Sequence, residues 1–261
     1  MNIQRSVITI LLPLLISYFF IFFHELEDLM QLELEQLQKS KLELCLEGKK
    51  TEQIQLIGLG DSLTVGIGDE RNLDGYFGRL ISYLKENNCT ISSKNFSIKG
   101  YKTDDLLEQL TEENVREAIK QTDVIIFTIG GNDLVSVLKE VTLSLQFDLI
   151  EKAQKSYANN IEKVLTEIRE INKDAEIYYI GLYNPITDIF GNEHISSLVT
   201  KWNKISEEKV QNINGAHFIA IDNLFKHEPS RFLSNDKFHP NDLGYEVIMQ
   251  RVVSYMLEEN E

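Results

Sequence analysis

The chain is short of the features that mark disordered, metal-clustered or nucleic-acid-binding proteins. It has only four prolines in 261 residues. Its aliphatic and aromatic content is ordinary for a globular protein, so disorder is not expected over most of the length. Basic residues are the minority, 26 Lys and Arg against 41 Asp and Glu, for a net charge of -15. A phosphate backbone needs a basic face, so nucleic acid is not an expected partner. The same deficit argues against electrostatic docking on anionic lipid and reads as a well-solvated surface. There are two cysteines, Cys45 and Cys89, with no Cys-x-x-Cys and no zinc-spaced His/Cys cluster. They could pair outside the cytoplasm or remain two thiols, and the sequence leaves both open. Leu42-Glu43-Leu44-Cys45 has Leu where a lipoprotein cleavage box needs a small residue, so lipid attachment is not expected. No internal repeat or low-complexity stretch is present.

What is there begins with an apolar run from Val7 to Phe23, broken only by Thr9 and Ser17 among its hydrophobic residues. That is the short end of what spans a bilayer, roughly 17–25 residues. Arg5 precedes it and Glu25, Glu27 and Asp28 follow, which predicts a cytoplasmic N-terminus and an extracytoplasmic remainder. Phe22-Phe23-His24-Glu25-Leu26 offers no small residues for cleavage. An uncleaved signal anchor over 1–24 is therefore favoured over a secreted form. Residues 25–51 are rich in Leu, Glu, Gln and Lys, strong helix formers. Leu26, Met30, Leu34 and Leu37 keep a helical spacing, which predicts a stalk broken at Gly48-Lys49-Lys50-Thr51. The globular domain is expected over 52–261, a length suited to one α/β domain.

Within it, strand and helix patterns alternate. Strands are predicted at Gln53–Leu59, Thr90–Ile98, Asp123–Ile129, Glu176–Leu182 and Ala216–Ile221, and helices at Tyr76–Asn87, Thr103–Lys120 (one or two), Leu149–Asn172, Ile195–Asn214 and Asp242–Glu259. Five strands separated by helices imply a parallel sheet with helices on both faces, an α/β three-layer sandwich. In such folds the site lies at the carboxyl ends of the strands, and chemistry-bearing residues recur there. Ser62 follows the first strand, Gly100 the second, Asn132 the third, Asn184-Pro185 the fourth, and Asp236 and His239 the fifth.

Each alone has a bland reading. Ser62 could cap the next helix, Gly100 could be a turn glycine, and Asp236 could cap a turn beside an exposed His239. Other motifs fail on particular residues. Leu63 stands where a dinucleotide fingerprint needs a third glycine, no Gly-Lys-Ser/Thr occurs, and Gly60 and Thr64 flank Ser62 where a Gly-x-Ser-x-Gly elbow needs glycine two residues to either side. Together the residues form a set for acyl transfer: nucleophile, oxyanion donors, base and base-orienter. Asp236, three residues before His239, can hold the ring's Nδ1–H and leave Nε2 to accept a proton. His24, His194, His217 and His227 have no acidic partner at a telling sequence distance, and Asp61 and Asp133 read as turn and helix-start residues.

Gly60-Asp61-Ser62-Leu63, Gly100, Gly130-Gly131-Asn132-Asp133 and Asp236-Lys237-Phe238-His239 occur in the order of the blocks of the SGNH (GDSL) hydrolase family, which residues 54 to 257 resemble. The resemblance implies a flavodoxin-like fold and a catalytic set of Ser62, Asp236 and His239. It implies an oxyanion hole from the backbone N–H of Ser62 and Gly100 and the side chain of Asn132, with no metal or organic cofactor. The implied activity is hydrolysis of carboxylic esters: lipid acyl, lysophospholipid or acetyl. The alternatives are a polysaccharide O-acetyl esterase or acyltransferase of the cell envelope, and a non-catalytic binding protein on the same fold. Loops 65–75 and 184–193 are expected to shape the pocket. Oligomeric state carries no sequence signal.

Overall fold

The computed structural model describes residues 24, 40–186, 192–226 and 228–258. The chain divides into two units, Met1–Ser40 and Lys41–Glu261. The elements of the second unit, in order, are α1 (Lys41–Leu46), β1 (Ile54–Gly60), α2 (Ser62–Val65), α3 (Gly75–Glu86), β2 (Ile91–Asn95), α4 (Thr103–Gln109), α5 (Glu113–Gln121), β3 (Val124–Thr128), α6 (Gly131–Ser144), α7 (Asp148–Ile171), β4 (Glu176–Ile180), α8 (Asn192–Val210), β5 (Ala216–Ile219), α9 (Asp222–Phe225), α10 (Pro229–Phe232) and α11 (Asp242–Glu258).

All five strands are parallel, in the order β2-β1-β3-β4-β5. Successive residues of a strand face opposite sides, and here both sides are covered. Ile54, Leu56, Val124, Ile126, Tyr178 and Ile180 pack against α3 and α11 through Tyr76, Leu80, Tyr245 and Ile248. Ile57, Leu59, Ile125, Phe127, Ile177 and Tyr179 pack against the helices of the other face, including Tyr157, Ile161, Val164, Leu165 and Ile168 of α7. Those α7 positions repeat at three to four residues, the spacing of one helical face. This explains why β3 reads as an unbroken apolar run: every residue of it is buried.

The sheet and its two helical layers are as expected from the sequence. Thr103–Lys120 resolves into two helices, α4 and α5, and the helix that Asp133 is expected to start is α6, which begins two residues earlier at Gly131. The start of the domain is corrected. Residues 41–51 read as stalk in the sequence, yet Leu42 and Cys45 of α1 are buried in the core beneath α11. Burial of a leucine contributes roughly 1.5–3 kcal/mol, and a Cys45–Cys89 disulfide ties α1 to the turn before β2. Of the two states open to the cysteines, the structure takes the paired one. The expected membrane span, 7–23, and most of the stalk lie outside the described residues. Among the described residues no helix is long and apolar enough to cross a membrane.

In this strand order the chain leaves β1 toward one side of the sheet and β3 toward the other. The two connections part at the carboxyl ends of β1 and β3 and leave a crevice between them, where doubly wound folds place their ligands. Ser62 and Asn132 follow those two strands.

Candidate active site

The turn out of β1 is built to present Ser62. Gly60 adopts a φ of 98°, and a Cβ there would lie 1.9 Å from the Thr128 carbonyl oxygen of β3, so only glycine fits. Asp61 then caps α2, accepting a hydrogen bond from the Leu63 N–H (3.1 Å). This settles the cap reading for Ser62: the capping is done by its neighbour, and the Ser62 hydroxyl is left for other work. Asp61 also accepts from the Thr128 hydroxyl (2.6 Å), which joins Thr64 and Tyr76 in one buried chain.

Ser62 Oγ lies 2.9 Å from His239 Nε2 across 177 residues of sequence. His239 Nδ1 lies 2.6 Å from Asp236 Oδ2. The other carboxylate oxygen, Oδ1, accepts from the backbone N–H of Phe238 and His239 (both 2.9 Å) and from the Ser234 hydroxyl (2.8 Å). Burial pushes the Asp236 carboxyl up, but the His239 ring, those two N–H groups and Ser234 outweigh it and hold the group well below the usual carboxylate range. An ionised carboxylate only accepts. His239 Nδ1 must then carry the ring hydrogen, which turns the Nε2 lone pair toward Ser62. The loop is further held by Tyr183, whose hydroxyl donates to the Phe238 carbonyl (2.5 Å), and by Ser234 N–H to the His239 carbonyl (2.8 Å).

Asn132 sits in the first turn of α6, and its side-chain amide donates to the Tyr101 carbonyl (2.8 Å). An asparagine amide has two hydrogens, so one remains for a second acceptor. Gly100, at φ 89°, lies in an exposed turn closed by the Tyr101 N–H on the Ile98 carbonyl (3.2 Å). The Ile98 N–H is bonded to the Gly60 carbonyl (2.9 Å), which ties this turn to the end of β1. Asp133 does more than start a helix. It accepts from the Thr103 N–H (3.1 Å) and hydroxyl (2.6 Å), so Asn132 and Asp133 together hold the segment carrying Gly100.

A cavity opens beside Ser62 and Asn132. Its walls are mostly apolar: Leu134, Val135 and Leu138 of α6, Ile195 and Val199 of α8, and Ile186 after β4. Pro185 lines it, as its place at a strand end suggests, but residues 65–75 do not. That loop is folded on itself by Arg79, bidentate to Asp69 (2.6 and 3.0 Å), and reaches the loop of Asp236 and His239 through Asn235 to Glu70 (3.2 Å). The α6 and α8 residues escape sequence reasoning because apolar side chains lining a cavity carry the same helical spacing as those lining a core. His217 does have an acidic partner, Glu176 (2.9 Å), at the amino ends of β5 and β4, away from the site.

Asp61 supplies a pH-dependent prediction. Burial first, and the nearby Asp133 charge in small part, raise its pKa from 3.8 to about 6, against the pull of Thr128 and the Leu63 N–H. The folded state thus holds this proton more tightly than the unfolded chain. Stability from this group is full below pH 4, falls as pH rises through 4 to 6, and is flat above, a loss of about 3 kcal/mol. Asp61→Asn keeps an oxygen for both hydrogen bonds and cannot ionise. Urea unfolding at a series of pH values should therefore show the variant gaining on the wild type across that window. Parallel curves would refute the buried charge.

A GDSL-like Lipase/Acylhydrolase family profile matches residues 59–247. The uncharacterised protein YpmR of Bacillus subtilis (strain 168) is 38% identical over 218 residues, covering 82% of this chain and 85% of that one. The spore germination lipase LipC of Bacillus licheniformis is 30% identical over 211 residues, covering 76% and 94%. Among solved structures, the lipase Lip_vut3 from a goat rumen metagenome superposes with a TM-score of 0.71 at 28% identity, covering 77% of this chain and 96% of that one. The family match runs from the end of β1 into α11 and takes in every strand-end residue described above, and the chain belongs to the GDSL-like lipase/acylhydrolase family.

Proposed function

We propose that the protein is a serine esterase acting on acyl esters of lipids through an acyl-enzyme on Ser62. The observation that carries this reading is the hydrogen-bonded chain Ser62–His239–Asp236 opening on an apolar cavity. Ser62 Oγ attacks the ester carbonyl while His239 Nε2 takes its proton. His239 then protonates the leaving alkoxide and later activates the water that releases the acid. Asp236 stays ionised and stabilises the imidazolium. The oxyanion forms against the remaining amide hydrogen of Asn132 and the backbone N–H of Ser62 and Gly100. The hydrocarbon of the acyl group lies along α6 and α8. Two of the similar proteins are lipases by name, which supports lipid esters over sugar acetates. We place the domain outside the cytoplasm, anchored by residues 7–23. The Cys45–Cys89 disulfide supports this, because such bonds persist in oxidising compartments.

A chain-length series of soluble nitrophenyl esters, with acetylated xylan in parallel, tests the substrate class. Each buried CH₂ contributes about 0.8 kcal/mol, roughly fourfold in kcat/KM. Butyrate to octanoate should exceed acetate by at least about tenfold. Preference for acetate, or turnover of the xylan, would move the assignment to the polysaccharide deacetylase reading.

A further inference from the structure

The last turn of α6 and its connection to α7 leave three large apolar side chains in solvent: Leu143, Leu145 and Phe147 are 87%, 73% and 71% exposed. Monomeric proteins scatter exposed apolar residues singly, and a cluster at one tip marks a surface that something covers. Leu145 sharpens the point. It ends α6 in the left-handed conformation (φ 58°), its N–H on the Val141 carbonyl, where helices ordinarily place glycine or asparagine. A leucine there is disfavoured in the backbone and solvated in the side chain, so folding of the domain does not account for it.

Three observations identify the cover. First, α6 is the helix whose Leu134, Val135 and Leu138 line the cavity beside Ser62. From Leu138 to Leu145 is seven residues, about 10 Å along the helix, so the cavity wall and the tip belong to one element. Second, no charged residue occurs from Val141 to Phe147. Beyond them Asp148 is paired with Lys152 and Glu151 with Lys155. In a chain of net charge -15 the tip is locally neutral and suits a zwitterionic surface. Third, the sequence carries the apolar run from Val7 to Phe23, long enough to hold the domain at a bilayer. From these we infer that the α6–α7 tip inserts into a zwitterionic lipid surface and delivers an acyl chain along α6 to Ser62. The delivery step rests on the acyl-cavity reading; insertion of the tip does not.

The test uses the full chain reconstituted in phosphatidylcholine vesicles. The native protein has one tryptophan, Trp202, fully buried. A Phe147→Trp variant adds a reporter at the tip. Vesicles with brominated acyl chains should quench the added fluorescence by at least about half and leave Trp202 unchanged. The triple variant Leu143→Ser, Leu145→Asn, Phe147→Ser should hydrolyse a bilayer-borne lipid ester about tenfold more slowly than the wild type. Its turnover of a soluble butyrate ester should stay within twofold. Absence of quenching would overturn the proposal. So would lipid-ester turnover unchanged by the triple variant. Self-association of the wild type that the triple variant abolishes would assign the tip to a second copy of the chain instead. If the wild type hydrolyses neither ester and a fluorophosphonate fails to label Ser62, the esterase reading falls, while the quenching measurement still decides whether the tip meets lipid.

Discussion

Ser62→Ala should reduce ester hydrolysis by about 10⁶-fold, the size of loss seen when a serine nucleophile is removed from a working triad. The expectation rests on geometry: Ser62 Oγ is the atom 2.9 Å from His239 Nε2, and α2 is capped by Asp61 instead of by Ser62. Alanine therefore removes the proposed nucleophile without removing a cap, and thermal stability should be nearly unchanged. In the proposed mechanism the three residues act as a unit, so Ser62→Ala combined with His239→Ala should be little worse than Ser62→Ala alone. Asn132→Ala is expected to differ in kind. In the proposed mechanism it leaves Ser62 able to react with a fluorophosphonate and lowers kcat by about 10²–10³ with KM little changed, since an oxyanion donor acts mainly in the transition state. Purified, folded Ser62→Ala protein with wild-type turnover would end the assignment.

Removing the disulfide should be the largest single change to stability. Cys45 and Cys89 are 44 residues apart, and closing a loop of that length restricts the unfolded chain by an amount worth about 4 kcal/mol. The loop contains β1, the Ser62 turn and α3, so its loosening reaches the site as well as the core. Cys45→Ser with Cys89→Ser, or reduction of the wild type, should lower the melting temperature by roughly 8–16 °C for a domain of this size. The same pair reports on location. Alkylation of cells before lysis, without reductant, should leave both cysteines unmodified. Two alkylated thiols would place the domain in a reducing compartment.

The layers are legible in the sequence because they are written locally. β1 and β3 are short apolar runs, and α3, α7 and α11 repeat their apolar residues at helical spacing, so neighbours in the chain suffice to identify them. The order of strand-end residues is legible for the same reason, since Ser62, Gly100, Asn132 and His239 each follow a recognisable strand. The edge of the domain is not. Leu42 and Cys45 lie in a Leu- and Glu-rich helix whose pattern is the same whether its apolar face meets solvent, a partner helix or, as here, α11. Nor is the division of labour on α6. Its buried Val137 and Val141, cavity-lining Leu138 and exposed Leu143 share one composition.

By itself the sequence determined the class of fold and the residues offered for chemistry, because secondary-structure periodicity and strand-end position are properties of adjacent residues. Only the tertiary structure decided that His239 meets Ser62 across 177 positions, that Asp61 frees that serine by taking the cap, and that the two cysteines touch. Those are distances between remote parts of the chain, and nothing in local pattern encodes them. What surrounds Ser62 was decided there too. An apolar side chain looks alike in sequence whether it faces core, cavity or water, and the packing of α6 and α8 settles which.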